Sequence, residues 1–468
     1  MRILVVVKQK AFLRHFEEVL LALADRGHRI QVAAPAADPM PVPGRLAGRV
    51  AEAACPGART DEWADVIGIL RAARSYARYL DPRYDAADKL RLRAFRKLAA
   101  QLSGDGRGHL KARCPECHAI LRDERLVEPL RQAVAGQPDR LAKLGRLVEA
   151  AVPGDAAIDR FLAEAAPDLL LLTPLVTFDS FLPDYVKSAR ALGIPTATPV
   201  FSWDNLSNKA LMHEVPDRVL VWNETQRREA VELHGVPPAR VEVTGAPRFD
   251  PFVRMRPTTD RAAFCAKVGL PADRPILLYL GSSPFVAPEE PAFVRRWVES
   301  VRAGRHPDLA AAGILLRPHP RRKKEWRAAG LETLPGVVVS TSPFENADQH
   351  LYDCLHHAAA AVELNTSAAI EAALVGTPVF TIRLPELQPG QAGTLHFHYL
   401  LEEHGGCVRP ADTLEEHVEQ LSALLAGEPG AARDRNGPFV STFVYGGTAT
   451  PSPTERMVTA IEAAARPS

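Results

Sequence analysis

Twice along this chain, short continuous apolar runs alternate with amphipathic helical stretches, and that alternation restricts the fold more than any other feature. In the first copy, residues 2–7 form an apolar run rich in β-branched side chains, and Phe12, Phe16, Val19, Leu20 and Leu23 then fall on one helical stripe. Gly27 stands where that helix should end, a place that suits a left-handed cap, and a second run at 30–34 is closed by Pro35. A strand–helix–strand opening implies a parallel sheet with helices on both faces. The run at 169–172 shows no polar alternation, as expected of a strand covered on both sides. Strands are also expected at 196–200, 217–222 and 241–243, with helices at 183–192 and 225–233.

The second copy begins after Pro275. It has expected strands at 276–280, 314–317, 337–339, 360–364 and 378–382, and helices at 289–303, 351–359, 367–375 and 414–425. A last helix is expected around 454–465. Since 468 residues exceed one ordinary core, and Pro247, Pro251 and Pro257 mark a stiff junction, two domains are expected, at 1–250 and 251–445, followed by a tail at 446–468.

Residues 60–150 interrupt the first copy with charged, helical sequence. Between Lys89 and Arg113 there are eight Lys or Arg and one Asp, and Leu90, Phe95, Leu98 and Leu102 share a face. Such a stretch suits either peripheral contact with an anionic membrane or a solvated insertion helix, and the second reading is preferred. A formal net charge of +1 excludes nucleic acid as the main partner. The apolar run at 3–7 is too short for a signal peptide, and no run is long enough to span a membrane, so a cytoplasmic protein, at most touching the inner membrane face, is expected. Six cysteines in so long a chain are not a disulfide framework. Cys114-Pro115-Glu116-Cys117-His118 has the haem-attachment spacing but no export signal, and half a zinc pattern but no second half, so it reads as a loop.

Ligands of open parallel sheets bind at the carboxyl ends of the strands. Three polar clusters of the second copy stand there. Gly281-Ser282-Ser283 follows a strand, and its glycine and hydroxyls suit a phosphate. In Arg317-Pro318-His319-Pro320 the prolines hold the imidazole in a stiff turn, with Arg321, Arg322, Lys323 and Lys324 adding positive potential. Asn365-Thr366-Ser367 opens a helix whose N–H groups suit an anion, and Glu371, one turn on, suits ribose hydroxyls. Together they describe a nucleoside-diphosphate pocket. Neither a dinucleotide fingerprint nor a P-loop is present, which excludes a dehydrogenase, kinase or GTPase.

With these residues in place, the chain resembles the GT-B-fold glycosyltransferases of bacterial surface-polysaccharide and capsule synthesis, in the group with a His-Pro motif. The opening MRILVVVKQKAFLRHFEEVLLALADRGHRIQVAAP, SWDNLSNKA from Ser202 with the following VWNETQRREAVELHGVPPARVEVTGAPRFDPF, RPHP, and NTSAAIEAALVGTPV carry the resemblance. It implies two Rossmann-like α/β domains facing a cleft, with the C-terminal helix crossing back to the N-terminal domain. It also implies a metal-independent transferase that moves a sugar from a UDP-, CMP- or GDP-linked donor to a glycan or lipid-linked acceptor. Ser282, His319, Thr366 and Ser367 would contact the donor phosphates, and Glu371 the ribose. A base is sought among His15, Asp179 and Asp204, with Asn205, Ser207 and Lys209 lining the acceptor side and His396 and His398 closing the donor side. The rival expectations are a sugar-nucleotide epimerase, a polyol-phosphate transferase, and a nucleotide-sugar-binding regulatory protein.

Overall fold

The computed structural model describes residues 1–103, 138–304, 306–340, 347–428, 430 and 434–465. The chain divides into two compact units, Met1–Asp250 with Tyr445–Ser468, and Pro251–Val444. Cys114, Cys117 and His118 lie outside the described residues, as does most of the basic stretch beyond Ser103.

Unit 1 is built on seven parallel strands, β1 (Arg2–Val7), β2 (Arg29–Pro35), β3 (Ala51–Cys55), β4 (Leu169–Thr173), β5 (Thr196–Pro199), β6 (Arg218–Val221) and β7 (Val241–Val243), in the order 3-2-1-4-5-6-7. In register, Val5 sits between Val32 and Leu171. Alternate side chains feed two cores: Leu4, Val6, Leu170 and Leu172 point to one face, Ile3, Val5, Leu169 and Leu171 to the other. The expected first helix is two pieces, a 3₁₀ turn at Lys10–His15 and α1 (Glu17–Asp25), because the backbone leaves helical geometry at Phe16 (φ −128°, ψ 13°). Gly27 takes φ 82°, the left-handed stop expected there.

The interrupting segment forms α2 (Ala64–Arg78), α3 (Asp88–Ser103) and α4 (Pro138–Ala151), before α5 (Ala156–Ala165), α6 (Leu182–Ala191) and α7 (Glu224–His234) return to the sheet. The apolar side of α3 is turned onto α2: Leu90, Ala94 and Phe95 are buried, and the Phe95 and Tyr76 rings lie 5.6 Å apart. Leu90 and Phe95, two of the four residues on the shared apolar face, therefore pack inside unit 1. A buried ionic cluster fastens the helices to the sheet layer. Arg71 of α2 donates to Asp184 of α6 (2.8 and 2.9 Å) and to Glu149 of α4 (2.7 Å), and Arg74 reaches Glu149 at 3.3 Å.

Unit 2 has six parallel strands, β8 (Ile276–Leu280), β9 (Gly313–Arg317), β10 (Val337–Val339), β11 (Ala360–Glu363), β12 (Val379–Ile382) and β13 (Val408–Ala411), in the order 10-9-8-11-12-13. Its helices include α8 (Glu290–Arg302), α9 (Ala347–His357), α10 (Ala368–Val375) and α11 (Leu414–Leu425). On α8 the residues Val294, Trp297, Val298 and Val301 recur every three or four positions and are buried against the sheet. After Val444 the chain returns to unit 1, where α12 (Pro453–Ala464) packs Met457, Val458 and Ile461 with Val19, Leu20 and Leu23 of α1. Among the described residues no helix is long and apolar enough to cross a membrane.

Candidate functional site

In unit 2 the strand order reverses between β8 and β11, so the helices that follow these neighbouring strands leave in opposite directions and a crevice opens at their carboxyl ends. The loops after β8, β9 and β11 meet there. Gly281 donates its N–H to the carbonyl of Arg317 (2.8 Å), and a β-carbon on Gly281 would lie 2.8 Å from the His319 nitrogen. Only glycine lets these two loops approach so closely.

Ser282 departs from its expected role. It is fully buried, and its N–H donates to Glu290 Oε1 (2.8 Å). The same carboxylate accepts from the Tyr279 hydroxyl (3.2 Å) and from Arg322 Nη1 (3.2 Å). Burial pushes the Glu290 carboxyl up to about 7, against the opposing pull of the Ser282 N–H and Arg322. Arg322 is likewise no free cation: it is 2% exposed and tied to Glu290 and Glu325. The half-buried hydroxyl of the β8 loop is that of Ser283.

His319 is half-buried, and its Nδ1 accepts the Arg321 N–H (3.3 Å), which places the proton of the neutral ring on Nε2. Burial, then Arg321 and Arg322, hold its pKa below the usual histidine range. The Arg317 guanidinium is engaged with His350 Nδ1 (2.7 Å) and the Ala347 carbonyl (3.1 Å). Burial lowers its pKa, while the Cys354 thiol and the Glu371 carboxylate favour its charge. Arg317 of β9 and Glu371 of α10 are thus within electrostatic reach.

At the end of β11, Glu363 is fully buried and its Oε2 accepts the Thr366 N–H (2.7 Å). Burial pushes this carboxyl up to about 8; the Thr366 and Asn365 N–H groups oppose the shift and nearby Glu290 adds to it. Asn365 is buried at φ 153°, and its amide donates to the Gly390 carbonyl (2.8 Å) beside Thr394 and His396 (3.3 and 3.4 Å). It ties down the 388–396 loop and is buried, although expected among the nucleotide-binding residues. Ser367 is the N-cap residue of α10 and makes no side-chain cap bond; Thr366 precedes it, its carbonyl accepting the Ala369 N–H (3.2 Å) and its hydroxyl the Ala368 N–H (3.5 Å). Glu363 thus satisfies the Thr366 N–H ahead of the helix, while Ser367 at the N-cap is exposed. Glu371 is buried at 6% exposure. Glu290 and Glu363 carry no signal in sequence, since an acid inside a strand–helix unit reads as a surface residue.

The three expected base residues stand past the carboxyl ends of β1, β4 and β5 in unit 1. His15 is half-buried, its ring 5.3 Å from that of Phe201. Burial, then Arg248 and Arg14, hold its pKa well below the usual range, so the imidazole is neutral at pH 7. Asp179 is exposed at φ 57° and pairs with Lys97. Asp204 accepts from the Ser202 hydroxyl (2.5 Å), the Asn208 amide (3.2 Å) and Lys209 Nζ (3.0 Å). Lys209, expected to meet an anionic substrate, is thus paired within its own turn, and Asn205 is buried on the Val176 carbonyl (2.7 Å). Lys8, which sequence reasoning overlooked, follows β1 directly and reaches the Phe178 carbonyl (2.8 Å) beside Asp179.

No protein family matches the chain. Over 90 residues, 19% of the chain, it is 37% identical to a D-inositol 3-phosphate glycosyltransferase of Kineococcus radiotolerans. The match spans 20% of that protein, so the chain covers about a fifth of the length of this curated relative. Among solved structures it is similar to a UDP-GlcNAc 2-epimerase from Methanocaldococcus jannaschii (TM-score 0.53, 12% identity, 99% of this chain and 100% of that one). It is similar to a glycosyltransferase from Rickettsia africae (TM-score 0.53, 10% identity, 100% and 99%) and to a Neisseria meningitidis UDP-GlcNAc 2-epimerase bound to UDP-GlcNAc (TM-score 0.53, 11% identity, 99% of both). At such identities the likeness is one of fold: two Rossmann-like parallel-sheet α/β domains of the GT-B kind.

Proposed function

We propose that this protein is a glycosyltransferase that moves a sugar from a nucleotide-activated donor to a glycan or lipid-linked acceptor in surface-polysaccharide synthesis. One observation carries the reading: Gly281 lets the β8 loop lock onto the Arg317–His319 turn at the switch point of unit 2. In this reading Ser283, the His319 Nε2–H and Ser367 hold the diphosphate, with Arg321 adding positive charge. Glu371 takes the ribose. The group departing from the anomeric carbon carries the negative charge, and the His319 Nε2–H, the serine hydroxyls and the Arg321 charge stabilise it as it forms. Ser282, Asn365 and Arg322 hold the loops in place behind that surface.

A thermal-shift series with UDP, CMP and GDP tests the donor site. At least one nucleotide should raise the melting temperature of the wild type, and His319→Ala and Glu371→Ala should lose most of the shift. A wild type that no nucleotide stabilises, or two variants that respond as it does, would end the proposal.

The likeness to UDP-GlcNAc 2-epimerases across 99% of the chain favours a second reading, epimerisation of the nucleotide sugar itself. Incubation with UDP-GlcNAc and no acceptor separates the two: an epimer appears only if the second reading holds.

A further inference from the structure

Unit 1 contains a cavity of about 140 Å³ that the nucleotide reading leaves unused. It lies between α2, α3 and the loop after β4. A closed apolar cavity of about 150 Å³ holds benzene, and this one also opens to solvent, which leaves room for the substituents of a larger ring. On the α2 side it is lined by Ala64, Gly68 and Ala72, one turn apart, with Ile67, Arg71 and Ser75 beside them, so a stripe of small residues leaves room between larger side chains. A β-carbon on Gly68 would come within 2.7 Å of Gln101 Oε1, so the glycine keeps this wall open. Phe178 and Phe181 supply flat apolar surface, while the Gln101 amide and the Thr177 hydroxyl supply polar atoms.

The charges around the cavity are matched. Arg71 is held by Asp184 and Glu149, Arg59 by Asp61 (2.8 Å), and Lys97 by Asp179. An anionic ligand would meet the Asp179 and Asp184 carboxylates with no spare cation, among the described residues of the lining, to offset them. A hydrocarbon would cover the inner side of the amide and the hydroxyl and offer neither a partner. A neutral ring bearing many hydroxyls satisfies every wall, donating to carboxylates, accepting from Lys97 and Gln101, and laying its C–H face on a phenylalanine.

We infer that this cavity binds a single neutral polyhydroxylated ring of hexose or cyclitol size. The site rests on the transferase reading only for its use, as the place that receives the end of the acceptor. The test is a titration of the full chain with methyl glucoside, methyl galactoside and myo-inositol, followed by calorimetry or ligand-observed NMR, with glucose 6-phosphate as the charged counterpart. At least one neutral ring should bind saturably in the millimolar range. Ala72→Leu, which fills the cavity from a helix that tolerates leucine, should weaken it at least tenfold. Gln101→Leu, on an exposed residue, should weaken it severalfold with unchanged circular dichroism. Absence of saturable binding to the wild type, or unaltered binding in both folded variants, overturns the inference, as does tighter binding of glucose 6-phosphate than of every neutral ring. UDP, CMP and GDP titrated into the same samples keep the two proposals apart: a nucleotide that binds while no ring does sinks this one alone, and the converse sinks the donor site alone.

Discussion

Gly281 and His319 stand so close that a β-carbon on the first would sit 2.8 Å from the backbone nitrogen of the second. The obstacle is backbone, not the end of a flexible side chain, so it cannot swing aside. Gly281→Ala should therefore push the two loops apart, at about 1–3 kcal/mol of stability. Chemical unfolding should show that loss, together with a nucleotide-induced thermal shift reduced by more than half. An alanine variant as stable as the wild type would mean that the loops are not locked together.

Glu363 gives unit 2 a pH signature. Its carboxyl lies near 4.5 in an unfolded chain and about 8 in the fold, so the folded state holds the proton more tightly. The stability this provides is complete below about 4.5, declines as pH rises and is gone above about 8. Glu363→Gln keeps an acceptor for the Thr366 N–H but cannot ionise. Melting temperatures between pH 5 and 9 should fall more steeply for the wild type than for this variant, and an identical slope refutes the assignment. Glu290, at about 7, adds a smaller decline of the same sign, which persists in the Glu363→Gln variant.

In unit 1, Arg71 is the hub of a buried cluster that joins three helices, and removing it leaves Glu149 and Asp184 short of a cation. Loss of one member of a buried pair costs about 3–5 kcal/mol. Arg71→Met should lower the melting temperature of unit 1 by roughly 10 °C. Lys97→Ala, which removes an exposed pair, should change stability by less than about 1 kcal/mol. Equal effects from the two would refute this view of the cluster.

The base of the proposed transfer can be sought by substitution. His15→Gln, Asp179→Asn and Asp204→Asn each keep size while removing basicity. One of the three should lower kcat by about 10²–10⁴-fold with nucleotide affinity intact. If all three retain full turnover once donor and acceptor are known, the base lies elsewhere.

Strands were legible where both of their faces are covered. The runs ILVVV, LLLL and ILLYL are apolar at every position, and each is a central strand. The two that escaped sequence reading, β3 (AEAAC) and β13 (VRPA), are each one of the two outer strands of their sheet and carry small residues, charges and a proline, whereas the other outer strands, β7 (VEV) and β10 (VVV), were legible from their β-branched residues. The site was legible as loops but not as orientations. Nothing in Gly281-Ser282-Ser283 says which serine turns inward; Glu290 decides it, eight residues on. Asn365 likewise looked like a ligand group because its amide partner, Gly390, is 25 residues away. Hydrogen-bond partners distant in sequence leave no periodic trace.

The return of residues 445–465 to unit 1 bears on the order in which the protein is made. Unit 2 is one uninterrupted stretch and can close as soon as Val444 clears the ribosome. The core face lined by Leu20, Ala197 and Leu220 stays without this cover until Met457, Val458 and Ile461 arrive, after the whole of unit 2 has been synthesised. The half that is translated first is thus the half that finishes last, and a nascent chain stopped anywhere before α12 exposes apolar surface from its N-terminal unit, the kind of surface that chaperones bind.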